Sequence, residues 1–250
     1  MNGPFPFAVF MLLAGLSMPA RADLAEILKK GLESQAAGSA ASPAAVLSND
    51  DMVAGLKEAL AKGTHKAIAD LGKPDGFLKN AALAIPMPDS LKKVEKLLRS
   101  LKQDKLADEF VATLNHAAEQ AVPEAANLFA DSINQMTLDD ARGILQGPND
   151  AATQYFRKSS GSKLVERFRP AVQAATEMAG VTSAYKRLLK KAGPLAKLAG
   201  KEATDLDGYV TEKAVDGLFK AIATEELLIR KDPVARSTDL LKKVFGSLFK

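Results

Sequence analysis

The sequence predicts an all-α protein, folded as a single bundle of about eight to ten helices with short loops. Apolar residues recur three and four positions apart along most of the 250-residue chain, which is the spacing of one face of a helix. No stretch of the sequence combines strict apolar and polar alternation with the β-branched and aromatic residues typical of strands. The core is therefore expected to form where the apolar faces of helices pack together.

The first 22 residues are typical of a secretory signal peptide. An apolar run at 7–16 is followed by a small-x-small sequence at 20–22, with cleavage expected after Ala22. A bilayer-spanning helix needs about 20 apolar residues, and this run is shorter and is closed by Pro19. We therefore expect an exported, periplasmic protein.

Composition excludes several classes of function. The chain has no cysteine, which excludes disulfides, thiol catalysis and thiolate metal sites. A formal net charge of +4 is too small to indicate a nucleic acid partner. The two histidines, His65 and His116, fall in separate predicted helices without closely spaced ligand partners. We therefore expect no metal site, no cofactor and no catalytic residue that the sequence can name.

The N-terminal part of the mature chain is predicted to differ from the rest. Residues 23–48 hold a short helix, 24–32, and a flexible linker rich in alanine, serine, glycine and proline. The helical domain is expected to fill 49–250. Its first helix, 51–71, has Asn or Asp residues available as caps at its start and Gly72 after its end.

Prolines, glycines and caps set the later boundaries. Segment 73–88 is irregular, but its apolar residues predict that it packs on the domain. Thr137 is expected to cap a helix with Asp140 at the capping-box position. Residues 147–148 form a Gly-Pro turn, and the Ser-Gly-Ser sequence at 160–162 is expected to interrupt the helical pattern. The predicted helices after the first are 91–101, 105–121, 124–135, 138–145, 149–157, 164–175, 182–198, 207–230 and 234–249.

Several motifs occur in order along this domain. They are 71–72 (LG), 75–78 (DGFL), 85–88 (IPMP), 147–157 (GPNDAATQYFR), 205–214 (DLDGYVTEKA) and 238–246 (TDLLKKVFG). Together they resemble the exported bacterial domain-of-unknown-function family 4197 over most of 51–246. The resemblance supports the helical fold and the exported location, and it implies no particular activity.

One candidate ligand site lies on the helix that follows the Gly-Pro turn. Its residues are Asp150, Thr153, Tyr155 and Arg157. The N-terminus of this helix could bind an anion, because its first backbone N–H groups have no partner within the helix. In the structural alternative, Asn149 caps the helix, Tyr155 packs and Arg157 pairs with a carboxylate such as Asp239.

A second candidate is a basic surface within 184–201, which has six basic residues and no acidic one. Its central residues are Lys186, Arg187, Lys190 and Lys191. They could contact anionic lipid headgroups, or they could form an ordinary solvated helix face. The helix 234–249 leaves the same choice open, because its broad apolar face suits either docking on the bundle or lying on a membrane.

These observations lead to one expected function and two alternatives. We expect a non-enzymatic envelope protein that binds a lipid or another amphipathic small molecule, or a partner protein of the envelope, with peripheral membrane contact as a further option. The first alternative is a periplasmic scaffold for protein interactions. The second is a hydrolase without a known motif, acting through residues of 149–157. The oligomeric state does not follow from the sequence.

Overall fold

A computed structural model describes residues 48–194, 205–232 and 238–248, all within the contact unit Leu47–Lys250. The predicted signal peptide, the helix 24–32, the linker as far as residue 47 and positions 195–204 lie outside the described residues. Within the described ranges there are nine α-helices and no strand, which confirms the all-α prediction. No described helix has the length and apolar character needed to span a membrane.

In chain order, the helices are α1 (Asn49–Leu71), α2 (Lys92–Ser100), α3 (Asp104–Ala121), α4 (Ala125–Asn134), α5 (Leu138–Gln146), α6 (Ala151–Met178), α7 (Val181–Ala192), α8 (Leu206–Lys231) and α9 (Asp239–Leu248). Short 3-10 turns at Asp89–Leu91 and Val122–Glu124 lead into α2 and α4.

Local capping explains two of the starts. Ser48 rather than Asn49 or Asp50 caps α1, because its Oγ accepts a hydrogen bond from the backbone N–H of Asp51 at 3.0 Å. The predicted capping box of α5 is confirmed: the Thr137 side chain accepts from the N–H of Asp140, whose carboxylate accepts from the N–H of Thr137.

The predicted interruption at 160–162 is wrong, because α6 continues without a break to Met178. Serine and glycine inside a helix cost only about 0.5–1 kcal/mol each relative to alanine. Burial outweighs this cost. The side chains of Phe156, Leu164 and Phe168 are fully buried, and the hydroxyl of Ser160 bonds to that of Ser132 on α4.

The bundle is built around α6 and α8, the two longest helices, which pack along each other. In addition, α3 packs against α6 and α7, and α1 packs against α8 and α4. At the centre, the ring of Phe129 lies 5.1 Å from that of Phe156 and 6.1 Å from that of Phe219, both in edge-to-face arrangements. These rings join three helices into one core.

The structure decides two expectations, one about segment 73–88 and one about the last helix. Segment 73–88 does pack on the domain, since Phe77, Ile85 and Met87 are buried. In α9 the side chains of Leu241, Val244 and Phe245 are also buried, and α9 packs against α1. These apolar residues therefore dock on the bundle.

Phe77 enters the core at a place where α8 carries a glycine. A Cβ atom at Gly217 would lie 2.6 Å from Cε1 of Phe77, a separation that real Cβ atoms do not adopt. The glycine is therefore needed for the irregular segment to reach α8.

We expect Gly217→Ala to destabilise the protein by roughly 1–3 kcal/mol, because the methyl group would displace the Phe77 ring. Gly161→Ala is a matched control, since a Cβ at this helical position meets nothing within 4 Å. That variant should be neutral, or stabilising by up to about 1 kcal/mol. Urea unfolding of both variants checks this, and equal stability of the two would contradict it.

Candidate functional site

A surface groove of about 510 Å³ lies between the C-terminal part of α1, residues of segment 73–83 and α8. Its lining combines apolar and charged side chains. The apolar residues are Ala67, Leu71, Ala81, Leu83 and Ala221, and the charged residues are Asp70, Lys73, Asp75, Lys79 and Glu225. A lining of this kind suits a ligand that has both an apolar and a polar part.

A buried carboxylate on α3 holds the irregular segment that forms one wall of the groove. The Glu119 side chain accepts hydrogen bonds from the backbone N–H groups of Asp75 at 3.1 Å, Phe77 at 3.0 Å and Leu78 at 3.2 Å. Glu119 is only 4% exposed, so these bonds form in a region of weak screening. The carboxylate therefore satisfies backbone donors that no secondary structure satisfies.

Two further side chains hold the second half of the segment. Asn115, one turn before Glu119 on α3, accepts from the N–H of Ile85 at 2.7 Å and donates to the carbonyl of Ile85 at 2.9 Å. The hydroxyl of Tyr209 on α8 donates to the carbonyl of Pro86 at 3.0 Å. Burial raises the pKa of Tyr209 to about 12, so the phenol keeps its proton.

The turn at Asp75 and Gly76 is tightly packed against the end of α1. Asp75 has a left-handed φ of 63°, a conformation that aspartate tolerates better than most residues. A Cβ atom at Gly76 would lie 2.4 Å from the carbonyl oxygen of Asp70 and 2.6 Å from that of Leu71. Only glycine fits at this point, because the segment passes directly over the end of α1.

The charges around the groove are arranged in pairs. Lys66 bonds to Asp70 and lies 3.4 Å from Glu225, and Lys79 bonds to Asp75 at 2.7 Å. Hydrogen bonds from Lys66, and then from Lys73, lower the pKa of Asp70. The bond from Lys79, with His116 beyond it, lowers the pKa of Asp75. Both carboxylates are therefore ionised at neutral pH, and each lies next to a cation.

Three residues of the groove lining, Leu71, Asp75 and Gly76, belong to the ordered motifs of the sequence. A family model described as a protein of unknown function, DUF4197, matches residues 46–246. The chain belongs to the DUF4197 family. This match confirms the family indicated by the motifs. No curated protein and no solved structure matches the chain.

In this DUF4197 protein, the four candidate ligand residues of the first predicted site each have a different partner. Thr153 is buried and bonds to Glu226, while the hydroxyl of Tyr155 donates to the carbonyl of Ser132 at 3.0 Å. Asp150 is exposed and accepts a hydrogen bond from the Gln154 side chain. The four side chains therefore do not converge on one ligand.

Arg157 does pair with a carboxylate, but the partner is Asp216 and not Asp239. Its Nη2 lies 3.1 Å from Oδ1 of Asp216, and its guanidinium lies 4.4 Å from the centre of the Phe219 ring. Both partners belong to α8, which packs along α6, whereas Asp239 pairs with Lys242 on α9. Hydrogen bonds from Lys220, and then from Arg157, lower the pKa of Asp216.

The N-terminus of α6 does bind an anion, and that anion is a side chain of the protein. The Glu226 carboxylate on α8 accepts from the N–H groups of Ala152 and Thr153, each at 2.9 Å. Arg230 donates to the same carboxylate and to the carbonyl of Ile144. Glu226 and Arg230 are 6% and 3% exposed, so this is a buried ion pair.

Sequence reasoning missed Glu226, Arg230, Glu119 and Asn115 as site-building residues. For the first pair a signal existed, because a glutamate four residues before an arginine on an apolar helix predicts an ion pair. For Asn115 and Glu119 the corresponding signal is a polar residue on the apolar stripe of α3. Their partners are in segment 73–88, and helical periodicity does not identify them.

The second predicted site is placed as expected on the surface. Lys186, Arg187, Lys190 and Lys191 are all exposed on α7, whose buried face consists of Val181, Ala184, Leu188 and Ala192. Groups of three or more His, Cys, Asp or Glu positioned to hold a metal ion do not occur in the part of the chain that the structure describes.

We expect Glu119→Gln to loosen the wall of the groove, because an amide group would replace one of the two accepting oxygens. Amide hydrogen exchange at residues 75, 77 and 78 should accelerate, and the free energy of unfolding should fall by roughly 1–3 kcal/mol. Glu109→Gln, on the same helix and half-exposed, should leave exchange at these three amides unchanged. Unchanged protection in Glu119→Gln would show that Glu119 does not hold the segment.

We expect Glu226→Gln to lower the free energy of unfolding by roughly 3–5 kcal/mol, because it removes the negative charge that lies 2.8 Å from the buried guanidinium of Arg230. The neighbouring Glu225→Gln removes only the contact with Lys66, whose side chain is 56% exposed. Its cost should stay below about 1 kcal/mol. Urea unfolding of the two variants measures the difference, and similar values would contradict the buried-pair interpretation.

Proposed function

We propose that this DUF4197 protein is an exported, non-enzymatic binding protein of the cell envelope. It holds an amphipathic ligand, or an amphipathic segment of a partner protein, in the groove between α1, segment 73–83 and α8. The observation that carries this proposal is the size and lining of the groove: about 510 Å³, with buried Ala67 and Leu71 beside paired charges. Small-molecule sites typically measure roughly 300–1,000 Å³.

The close packing of the bundle interior favours a ligand site on the surface over one inside the bundle. The cavity next to Glu226 and Arg230 holds only about 20 Å³, which is room for one water molecule and not for a lipid chain. Fully buried phenylalanines fill the centre between α4, α6 and α8. A ligand is therefore expected on the surface of the bundle, where the groove offers both apolar and polar contacts.

The rigidity of the groove wall also supports a binding role. Glu119, Asn115 and Tyr209 fix the backbone of segment 73–88 before any ligand arrives. A wall that is already ordered loses little conformational entropy when a ligand binds, so more of the contact energy appears as affinity.

The hydrolase alternative has less support than the binding role. Its candidate groups within 149–157 are engaged elsewhere, since Thr153 bonds to Glu226 and Tyr155 to the carbonyl of Ser132. The carboxylates that line the groove, Asp70 and Asp75, are paired with lysines. The exported location continues to rest on the apolar run at 7–16 and the cleavage signature that follows it.

The proposal is tested by native mass spectrometry of the protein purified from the envelope fraction of cells that produce it. Ala221→Trp fills the groove, whereas Ala174→Trp places the same ring on the exposed face of α6, away from the groove lining. We expect a reproducible small-molecule adduct in the wild type and in Ala174→Trp, and its loss in Ala221→Trp.

The partner version of the proposal is tested in the same cells by a photo-crosslinking residue placed at Thr224 in the groove or at Ala174 as control. A partner should be captured reproducibly from position 224 and not from position 174. The proposal fails if no adduct is found and position 224 captures nothing beyond the control, or if Ala221→Trp keeps the adduct.

A further inference from the structure

A second surface, separate from the groove, forms where α2, the start of α3 and α7 meet. Both α2 and α3 pack against α7. The ring of Phe110 on α3 lies 6.1 Å from that of Tyr185 on α7, and Arg187 lies 3.9 Å from Glu109. These contacts make the outward faces of the three helices neighbours on the surface.

This corner carries a concentrated positive charge. Residues 89–109 contain six basic and five acidic side chains, and residues 181–192 contain four basic and no acidic ones. The surplus of five positive charges exceeds the net charge of +4 of the whole chain. The remainder of the protein is therefore close to neutral, and the charge is localised here.

The acidic residues in the corner are engaged chiefly by its two arginines. Arg99 contacts Glu95 at 2.8 Å, Asp108 at 2.9 Å and Asp104 at 3.4 Å, while Arg187 contacts Glu109. Asp89 contacts Lys92 at 2.6 Å. Each of the five carboxylates thus contacts a cation, and three of them share Arg99.

Seven lysines of the corner are exposed and contact no carboxylate of the described residues. They are Lys93, Lys96, Lys102, Lys105, Lys186, Lys190 and Lys191. This differs from the groove, where Lys66, Lys73 and Lys79 each contact an aspartate. The lysines of the corner are available for an external anionic partner.

An exposed apolar residue lies next to one of these lysines. Leu101, at the end of α2, is 55% exposed and directly precedes Lys102. An exposed apolar side chain on a basic surface suits a protein that lies on a membrane, where the cations meet phosphate groups and the apolar side chain enters the interface.

We propose that this corner, defined as the outward faces of α2, the start of α3 and α7, binds the surface of an anionic phospholipid membrane. The lysines are spread over three helices and the turn between α2 and α3, so they suit a sheet of negative charge better than a single anion. A basic residue held at such a surface raises the partition coefficient by about five-fold. The protein then lies on the membrane peripherally, with the groove as a separate site.

Co-sedimentation with phospholipid vesicles tests this proposal. The sample is the full chain in the form that the cell produces after processing. The probes are vesicles of phosphatidylglycerol mixed with phosphatidylcholine, and vesicles of phosphatidylcholine alone. We expect binding to the anionic vesicles at low ionic strength, weaker binding at high ionic strength because salt screens the charges, and little binding to the neutral vesicles. Binding equal on both vesicle types, or absent from both, would overturn the proposal.

Two triple variants with the same loss of charge locate the binding surface. The first triple variant combines Lys186→Gln, Lys190→Gln and Lys191→Gln. It should reduce the partition coefficient about 100-fold. The second triple variant removes three exposed cations from α6 through Lys158→Gln, Lys163→Gln and Arg167→Gln. It should change the partition coefficient by less than about five-fold. Equal losses in the two variants would mean that only net charge matters, and would overturn the proposed surface.

Circular dichroism and urea unfolding test whether both triple variants are folded. If the first variant is not, the double variant with Lys186→Gln and Lys190→Gln replaces it, with an expected loss of about 25-fold. The vesicle experiment is independent of the groove, since Ala221→Trp should bind vesicles as the wild type does. A failure of groove binding and a failure of membrane binding are therefore distinguishable.

Discussion

The buried carboxylate of Glu119 determines how the irregular segment 73–88 can exist inside a helical protein. A segment without regular structure has backbone N–H groups that need partners once the segment is buried. Glu119 accepts three of them, and Asn115 one turn earlier on α3 accepts a fourth. With these bonds made, Phe77 can enter the core against Gly217 and the wall of the groove is held in place. Without these hydrogen bonds, burial of the segment would leave several backbone N–H donors unsatisfied, and the folded state would be destabilised.

The same physical solution recurs at the start of α6. The first N–H groups of a helix lack partners within the helix, and Glu226 of α8 reaches across to accept two of them. Arg230 then balances the buried charge. In both places a carboxylate from a distant part of the chain completes the backbone hydrogen bonding of a family motif. This arrangement ties the two long helices together and occupies the helix terminus that a free anion would otherwise use.

The groove and the basic corner differ in how their charges are arranged. Around the groove, lysines and aspartates neutralise one another next to apolar side chains, which favours an amphipathic occupant. At the corner of α2, α3 and α7, the carboxylates are already engaged and seven lysines remain exposed. Net charge alone shows neither feature, since the chain as a whole carries only +4.

The sequence by itself determined the elements that depend on near neighbours. The helical class, the capping box at Thr137, the Gly-Pro turn before α6 and the basic face of α7 all follow from spacings of a few residues. The family membership follows from the order of short motifs along the domain. Only the tertiary structure decided the pairings between distant positions. Arg157 pairs with Asp216 because α6 packs along α8, and Glu119 lies 42 positions from Phe77. The continuity of α6 through 160–162 was decided in the same way, because burial of its apolar face outweighs a weak local preference. Such partners depend on how the helices pack, and periodicity within one helix does not contain that information.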